Sequence, residues 1–180
     1  MKKCLQILLF TVIMLAGCSS GNEEEQVKLT VSAAASLSTV LEEITVDFEK
    51  KYPNIHVQFN FGASGALKEQ IEQGAPVDVF VSASTEKFDE LVARHDVKEA
   101  RNIVRNELVL IVPVKERDVQ TFRDLSNDTV EKIALGTPDT VPAGQYGRQA
   151  LTYYDVWSTI DSKIVYAKDV RQVLTYVETK

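Results

Sequence analysis

From Lys28 onward the chain alternates between two hydrophobic periods, short β-branched or continuous apolar runs and stretches with apolar positions three and four residues apart. "KLTVSA" (Lys28–Ala33) predicts a strand, and Leu37, Val40, Leu41, Ile44 and Phe48 then mark one face of a helix that Tyr52 and Pro53 end. Thr39, with Glu42 three residues on, predicts a capping box at the start of that helix. "IHVQFNF" (Ile55–Phe61) alternates as a strand does, and Leu67–Gln73 reads as a helix stopped by Gly74. "PVDVFVSA" (Pro76–Ala83) predicts a third strand, followed by a helix over Thr85–Arg94 with Phe88, Leu91 and Val92 on one face.

"ELVLIVPV" (Glu107–Val114) is a continuous apolar run, which predicts a strand buried on both faces. A short helix is expected in "TFRDLS", a strand at Lys132–Gly136, and a helix from about Gln145 to Tyr153. A last strand, Lys163–Ala167, leads to a last helix, Val170–Glu178. Strands alternating with helices imply an α/β fold with mainly parallel sheets. The chain stops inside that last helix, at "YVETK", with no turn residue to close it, so a C-terminal part is expected to be missing.

The first residues change the picture of where this fold works. Lys2 and Lys3 precede an apolar run that ends in "LAGC" (Leu15–Cys18), the pattern of a secretory signal. The run is shorter than the ~20 residues a membrane-spanning helix needs. A Cys directly after the small residues resembles the lipobox of bacterial lipoproteins, which implies cleavage before Cys18 and a lipid on its sulfur. Residues 1–17 are then a signal peptide and residues 18–26 a polar, acidic, lipid-anchored tether. The mature chain keeps no free thiol, which excludes a disulfide framework and a Cys-based metal site. Losing Lys2 and Lys3 moves the formal charge from −6 to about −8. Nucleic acid, which requires a basic face, is excluded as a partner.

The candidate chemistry lies where strands turn into helices. Such junctions line the carboxyl edge of a parallel sheet, where open α/β folds bind ligands. A helix start offers unpaired N–H groups and a partial positive charge, and small residues let an anion approach them. Read this way, Ser36 in "VSAAASL" and Ser64 in "FGASGAL" are two arms of an anion site. Ala143 in "TVPAGQYG" and Val170 in "AKDVRQ" open two further helices. Each junction alone is ordinary, since a Ser at a helix start is most often a plain N-cap.

As a set, "VSAAASL", "FGASGAL", "GAPVDVFVSA", "VPAGQYGRQAL" and "KDVRQVL", in this order and spacing, resemble the molybdate-binding proteins of ATP-driven molybdate importers. The resemblance covers Lys28 to about Val177 and implies a two-lobed, periplasmic-binding-protein-like fold of type II, with parallel-rich sheets flanked by helices. It implies a first lobe at 27–107, a hinge strand at 108–114 and an incomplete second lobe at 115–180. It assigns the oxyanion to the hydroxyls of Ser36 and Ser64 and the backbone N–H groups of Ala143 and Val170. It also implies a monomer that is not an enzyme and has no cofactor, exported and anchored to the cell membrane through Cys18. Its ligand would be molybdate or tungstate, handed to the membrane permease of an ABC importer. Bacterial members commonly add a Tyr hydroxyl from a later segment. Without that segment the chain as given is expected to lack one donor and to bind or fold poorly alone.

The chemistry of the set agrees with that implication. Molybdate has no proton at neutral pH, so a site of hydroxyl and N–H donors suits it, and no Asp or Glu stands at the four positions. Two alternatives remain at this level: a receptor of the same fold for sulfate or phosphate, and a secreted serine hydrolase using Ser64. "GASG" is one residue short of the G-x-S-x-G nucleophile elbow. Asp78 is expected to serve the start of its strand, and Ser82 and Ser84 to line the cleft outside the site. Arg148 and Arg171 are expected beside the site, His56 and His95 in structural or exposed places, and Trp157, Tyr153 and Tyr154 in packing.

Overall fold

A computed structural model describes residues 25–115 and 118–179. The expected signal peptide, Cys18 and all but the last two residues of the expected tether lie outside them. Two parallel sheets organise the chain, each backed by helices. β1 (Val27–Ala34), β2 (Ile55–Gly62) and β3 (Val79–Val81) form the first, in the order β2-β1-β3. β1 runs in register with β2 from Val27↔Ile55 to Ala34↔Gly62, and with β3 from Val31↔Val79 to Ala33↔Val81. α1 (Ser38–Lys51), α2 (Ser64–Glu72) and α3 (Thr85–Ala93) follow these strands in turn. Parallel pairing forces each strand to return by such a crossover. The second sheet joins β4 (Ile133–Gly136) to β5 (Ile164–Ala167), with α4 (Pro142–Tyr153) and α5 (Trp157–Ile160) between them and α6 (Val170–Glu178) after them.

Burial concentrates at the carboxyl ends of the strands. β1 is exposed or half-buried at Val27–Thr30 and buried from Val31 to Ala34. Leu67 and Leu91 are buried beside it, from α2 and α3. In the second half Val119, Leu125, Leu151, Val156 and Ile160 form the core cluster. Asp78 serves the start of β3 as expected: its carboxylate accepts the Thr30 N–H at 2.8 Å and its own N–H donates to the Thr30 carbonyl at 2.9 Å.

Three local expectations are corrected. Residues 101–113 contain no helix or strand and residue 114 lies in a turn, so the hinge strand expected at 108–114 is irregular chain instead. Leu110 and Val112 pack on the second core while Val109 and Ile111 between them face outward. One face is covered rather than two, and a strand needs a ladder partner that the β4–β5 sheet does not give this segment. The capping box is absent because α1 starts at Ser38, which puts Thr39 inside the helix; a 3-10 turn over Ala35–Leu37 leads into it. α4 begins at Pro142 rather than near Gln145, with Pro at the first helical position, where its missing N–H is harmless. Among the described residues no helix is long and apolar enough to cross a membrane.

Candidate ligand-binding site

The two Ser positions sit differently at the edge of the first sheet. After Ala34 the chain enters the 3-10 turn and α1 without a break, and Ser36 stands exposed in that turn. Ser64 is the first residue of α2 and is fully buried. Its Oγ accepts the backbone N–H of Ala83, just after β3, at 2.9 Å. That bond takes up acceptor capacity of the hydroxyl and leaves its proton free to donate. Ser84 is likewise buried, but it caps α3, its Oγ accepting the Lys87 N–H at 3.3 Å. Ser82 donates to the Ser84 carbonyl at 2.8 Å, so this pair shapes the turn before α3.

In the second half a braced turn carries the other two positions. The Thr137 N–H and hydroxyl both donate to the Ala167 carbonyl, at 2.9 and 3.1 Å. Thr140 and Val141 donate back to the Thr137 carbonyl at 3.1 and 2.8 Å. The turn therefore ties the start of α4 to the end of β5. Gly136 and Gly144 let α4 sit this close: a Cβ on Gly144 would fall 1.9 Å from the Gly136 carbonyl oxygen. Pro142 has no N–H to offer, while Gly144 and Gln145 donate to the Val141 carbonyl at 2.9 and 3.0 Å. Ala143 N–H, between them, has no acceptor among the described residues. At α6 the Asp169 side chain caps Gln172 at 2.9 Å, and Val170 N–H is likewise without an acceptor among the described residues.

Ser36, Ala143 and Val170 line one solvent-open cavity of about 920 Å³, together with Arg171. Most of its wall is apolar, from residues 108–112, β4 and α6, so an anion suits only the end where the helix starts meet. Ser64 is not part of that wall. It lies beside the seam between the halves, where its neighbour Gly65 donates its N–H to the Thr140 carbonyl at 3.0 Å. Two more contacts cross the seam: Gln145 Nε2 donates to Glu86 Oε2 at 2.9 Å, and Arg171 donates to the Thr39 hydroxyl at 3.4 Å.

Sequence reading missed Gly65, Ala83 and Thr140. The small residue at 65 was a visible signal, but its partner lies in another element far along the chain. Arg148 lies over the Trp157 ring at 5.2 Å, and Tyr154 stacks on Phe122 at 5.0 Å, so Trp157 and Tyr154 pack as expected, whereas Tyr153 is 81% exposed. His56 pairs with Glu49 at 3.2 Å, and His95 occupies a left-handed turn after α3 (φ 63°). Neither is the partner of Ser64. Among the described residues no cluster of His, Cys, Asp or Glu could hold a metal ion.

Behind the site a charged network holds α2 against α3. Lys68 meets Glu90 and Glu72, Lys87 meets Glu90 at 3.0 Å, and Arg94 meets Glu72 at 3.4 Å and Asp96 at 2.9 Å. Hydrogen bonds from Lys68 and then Lys87 hold the Glu90 carboxyl below its ordinary range, and bonds to Glu90 and Glu72 raise Lys68. This clamp fixes the helix that begins at Ser64.

Comparison with known proteins gives the arrangement its family. Residues 29–180 match the bacterial extracellular solute-binding proteins. The lipoprotein YvgL of Bacillus subtilis, named as an ABC transporter substrate-binding protein, is 49% identical over 93% of this chain and 66% of its own length. The molybdate-binding protein ModA of Haemophilus influenzae is 36% identical over 99% of this chain and 71% of its own. A solved Clostridium difficile substrate-binding domain, named for a molybdenum ABC transporter, is 39% identical with a TM-score of 0.57, covering 85% of this chain and 67% of that one. The periplasmic molybdate-binding protein of Azotobacter vinelandii shares the fold, with a TM-score of 0.68 at 24% identity over 84% of this chain and 67% of that one. The chain thus spans about two thirds of the length of the relatives it matches. These are binding components of transporters and not enzymes, and the chain belongs to the bacterial extracellular solute-binding protein family, in company with its molybdate-binding members.

Proposed function

We propose that this protein captures molybdate, and tungstate with it, and delivers the anion to the permease of an ABC importer. The carrying observation is the character of the donors at one seam: a buried hydroxyl with its acceptor capacity engaged, at Ser64, and helix-start N–H groups at Ala143 and Val170 that no group of the described chain uses. Donors of this kind fit an anion that carries no proton, and converging helix starts supply the positive potential. The names of the ModA relatives support the same ligand. Ser36, which lines the same cavity as Ala143 and Val170, supplies the second hydroxyl. The halves act as lobes joined through the segment 108–114, a lipid on Cys18 holds the protein at the outer face of the membrane, and the protein works as a monomer without a cofactor.

Calorimetric titration of the complete, unlipidated protein with molybdate, tungstate, sulfate and phosphate tests this. Heat of binding from the first two alone is expected. Binding of sulfate or phosphate in their place would identify a different oxyanion receptor, and silence toward all four would remove the anion reading.

A further inference from the structure

Gly65 is the second residue of α2, buried, and pressed against the other half of the molecule. Its N–H donates to the Thr140 carbonyl at 3.0 Å, and a Cβ built on it would stand 2.9 Å from both the Cα and the carbonyl oxygen of Thr140. Those are backbone atoms, so no side-chain rotation can relieve the clash. Nor is Thr140 free to retreat by itself. It belongs to the turn that Thr137 ties to Ala167, and the same turn leads into α4 at Ala143, while Ala167 leads into α6 at Val170. A side chain at position 65 would therefore displace both second-half N–H donors together, away from Ser64.

Helix geometry does not require this glycine. Its φ is not in the left-handed region, and alanine is a better helix former than glycine by about 1 kcal/mol. The reason for glycine at this position lies across the seam.

We propose that Gly65 is a positioning residue that sets how closely the two halves approach around the bound oxyanion. The inference deepens the function proposed above and rests on it for the identity of the ligand, but not for the movement itself. Closure to the present distance brings the α2 start within one backbone hydrogen bond of the turn that carries the opposing donors. A methyl group stops the approach a few tenths of an ångström short, and hydrogen bonds to a small rigid anion weaken steeply over such distances.

The test uses the full chain with Cys4 and Cys18 replaced by Ser and spin labels at Asp89→Cys and Gln149→Cys, exposed positions on α3 and α4. Distance distributions are compared for Gly65, G65A and G65S, with and without molybdate. The label distance is expected to lengthen in the order Gly, Ala, Ser. The dissociation constant for molybdate is expected to rise at least tenfold in G65A, with unchanged far-ultraviolet circular dichroism. A graded distance separates obstruction from loss of fold, which would not scale with side-chain size. Q145A, which removes a rim contact without adding bulk, is expected to leave the distance unchanged. Equal distance distributions in all three position-65 variants would overturn the proposal. If the parent binds none of the four oxyanions, the molybdate reading fails alone, because the distance series in the absence of ligand still decides the role of Gly65.

Discussion

The Ser64 hydroxyl accepts the backbone N–H of Ala83 at 2.9 Å, across the gap between the start of α2 and the end of the third strand. The bond joins neighbouring elements of the first half, and it leaves the hydroxyl proton uncommitted to Ala83, as the proposed anion contact requires. Ser36, exposed in its turn, joins no second element through its hydroxyl among the described residues.

The two serines should separate on mutation. Ser64→Ala is expected to weaken molybdate binding by roughly 1–3 kcal/mol and to lower folding stability by about 1 kcal/mol, because the Ala83 N–H loses its acceptor. Ser36→Ala should weaken binding by a similar amount and leave stability unchanged. Titration calorimetry and thermal melts of both variants check the contrast, and equal melting temperatures for the two would contradict it.

Gly144→Ala forces a methyl group onto the Gly136 carbonyl. Overpacking of this kind costs about 1–3 kcal/mol, and here it also tilts the start of α4 that presents Ala143. Lower stability together with weaker anion binding is expected, by the same two measurements.

Acid should loosen the first half through Glu90. Its carboxyl is held below the ordinary value by Lys68 and then Lys87. Such a group stabilises the fold fully above its unfolded pKa, about 4.3 for Glu, and the contribution disappears as pH falls through the lower folded value. The melting temperature of the parent should exceed that of Glu90→Gln at pH 7, with the gap closing below about pH 4. The pair is partly exposed, so the gap should also shrink in high salt.

Ile160 is fully buried among Val119, Leu125, Leu151 and Val156. Ile160→Ala should destabilise the second half by about 2–5 kcal/mol. Chemical denaturation followed by Trp157 fluorescence reads that half directly, since Trp157 packs on the same cluster.

Much of the architecture could be read from hydrophobic period. β1, β2, β4, β5 and α6 lie within a few residues of their sequence-based positions, because alternation and three-to-four spacing report which side of an element meets a core. The run at 107–114 failed for the opposite reason: apolar residues show that a segment can be buried, not that a neighbouring strand exists to pair with it. α1 carries the expected stripe, yet Val40 and Ile44 are exposed and no residue of the helix is fully buried. Its amphipathic pattern does not reveal what covers it. At the proposed site, small residues beside helix starts pointed to Ser36, Ser64, Ala143 and Val170, of which Ser36, Ala143 and Val170 line one cavity and Ser64 does not. The bond from Ala83 to Ser64 and the contact of Gly65 with Thr140 join distant elements, and no local pattern encodes a partner of that kind.

Pro142 has a consequence for how such a site can drift under mutation. By removing its own N–H it leaves Ala143 as the donor that this helix start can present, and that donor belongs to the main chain. Replacing the Ala143 or Val170 side chain by anything other than proline leaves both groups in place. The proposed binding surface therefore depends less on the side chains that would touch the anion than on the proline and glycines that fix the path of the backbone behind them.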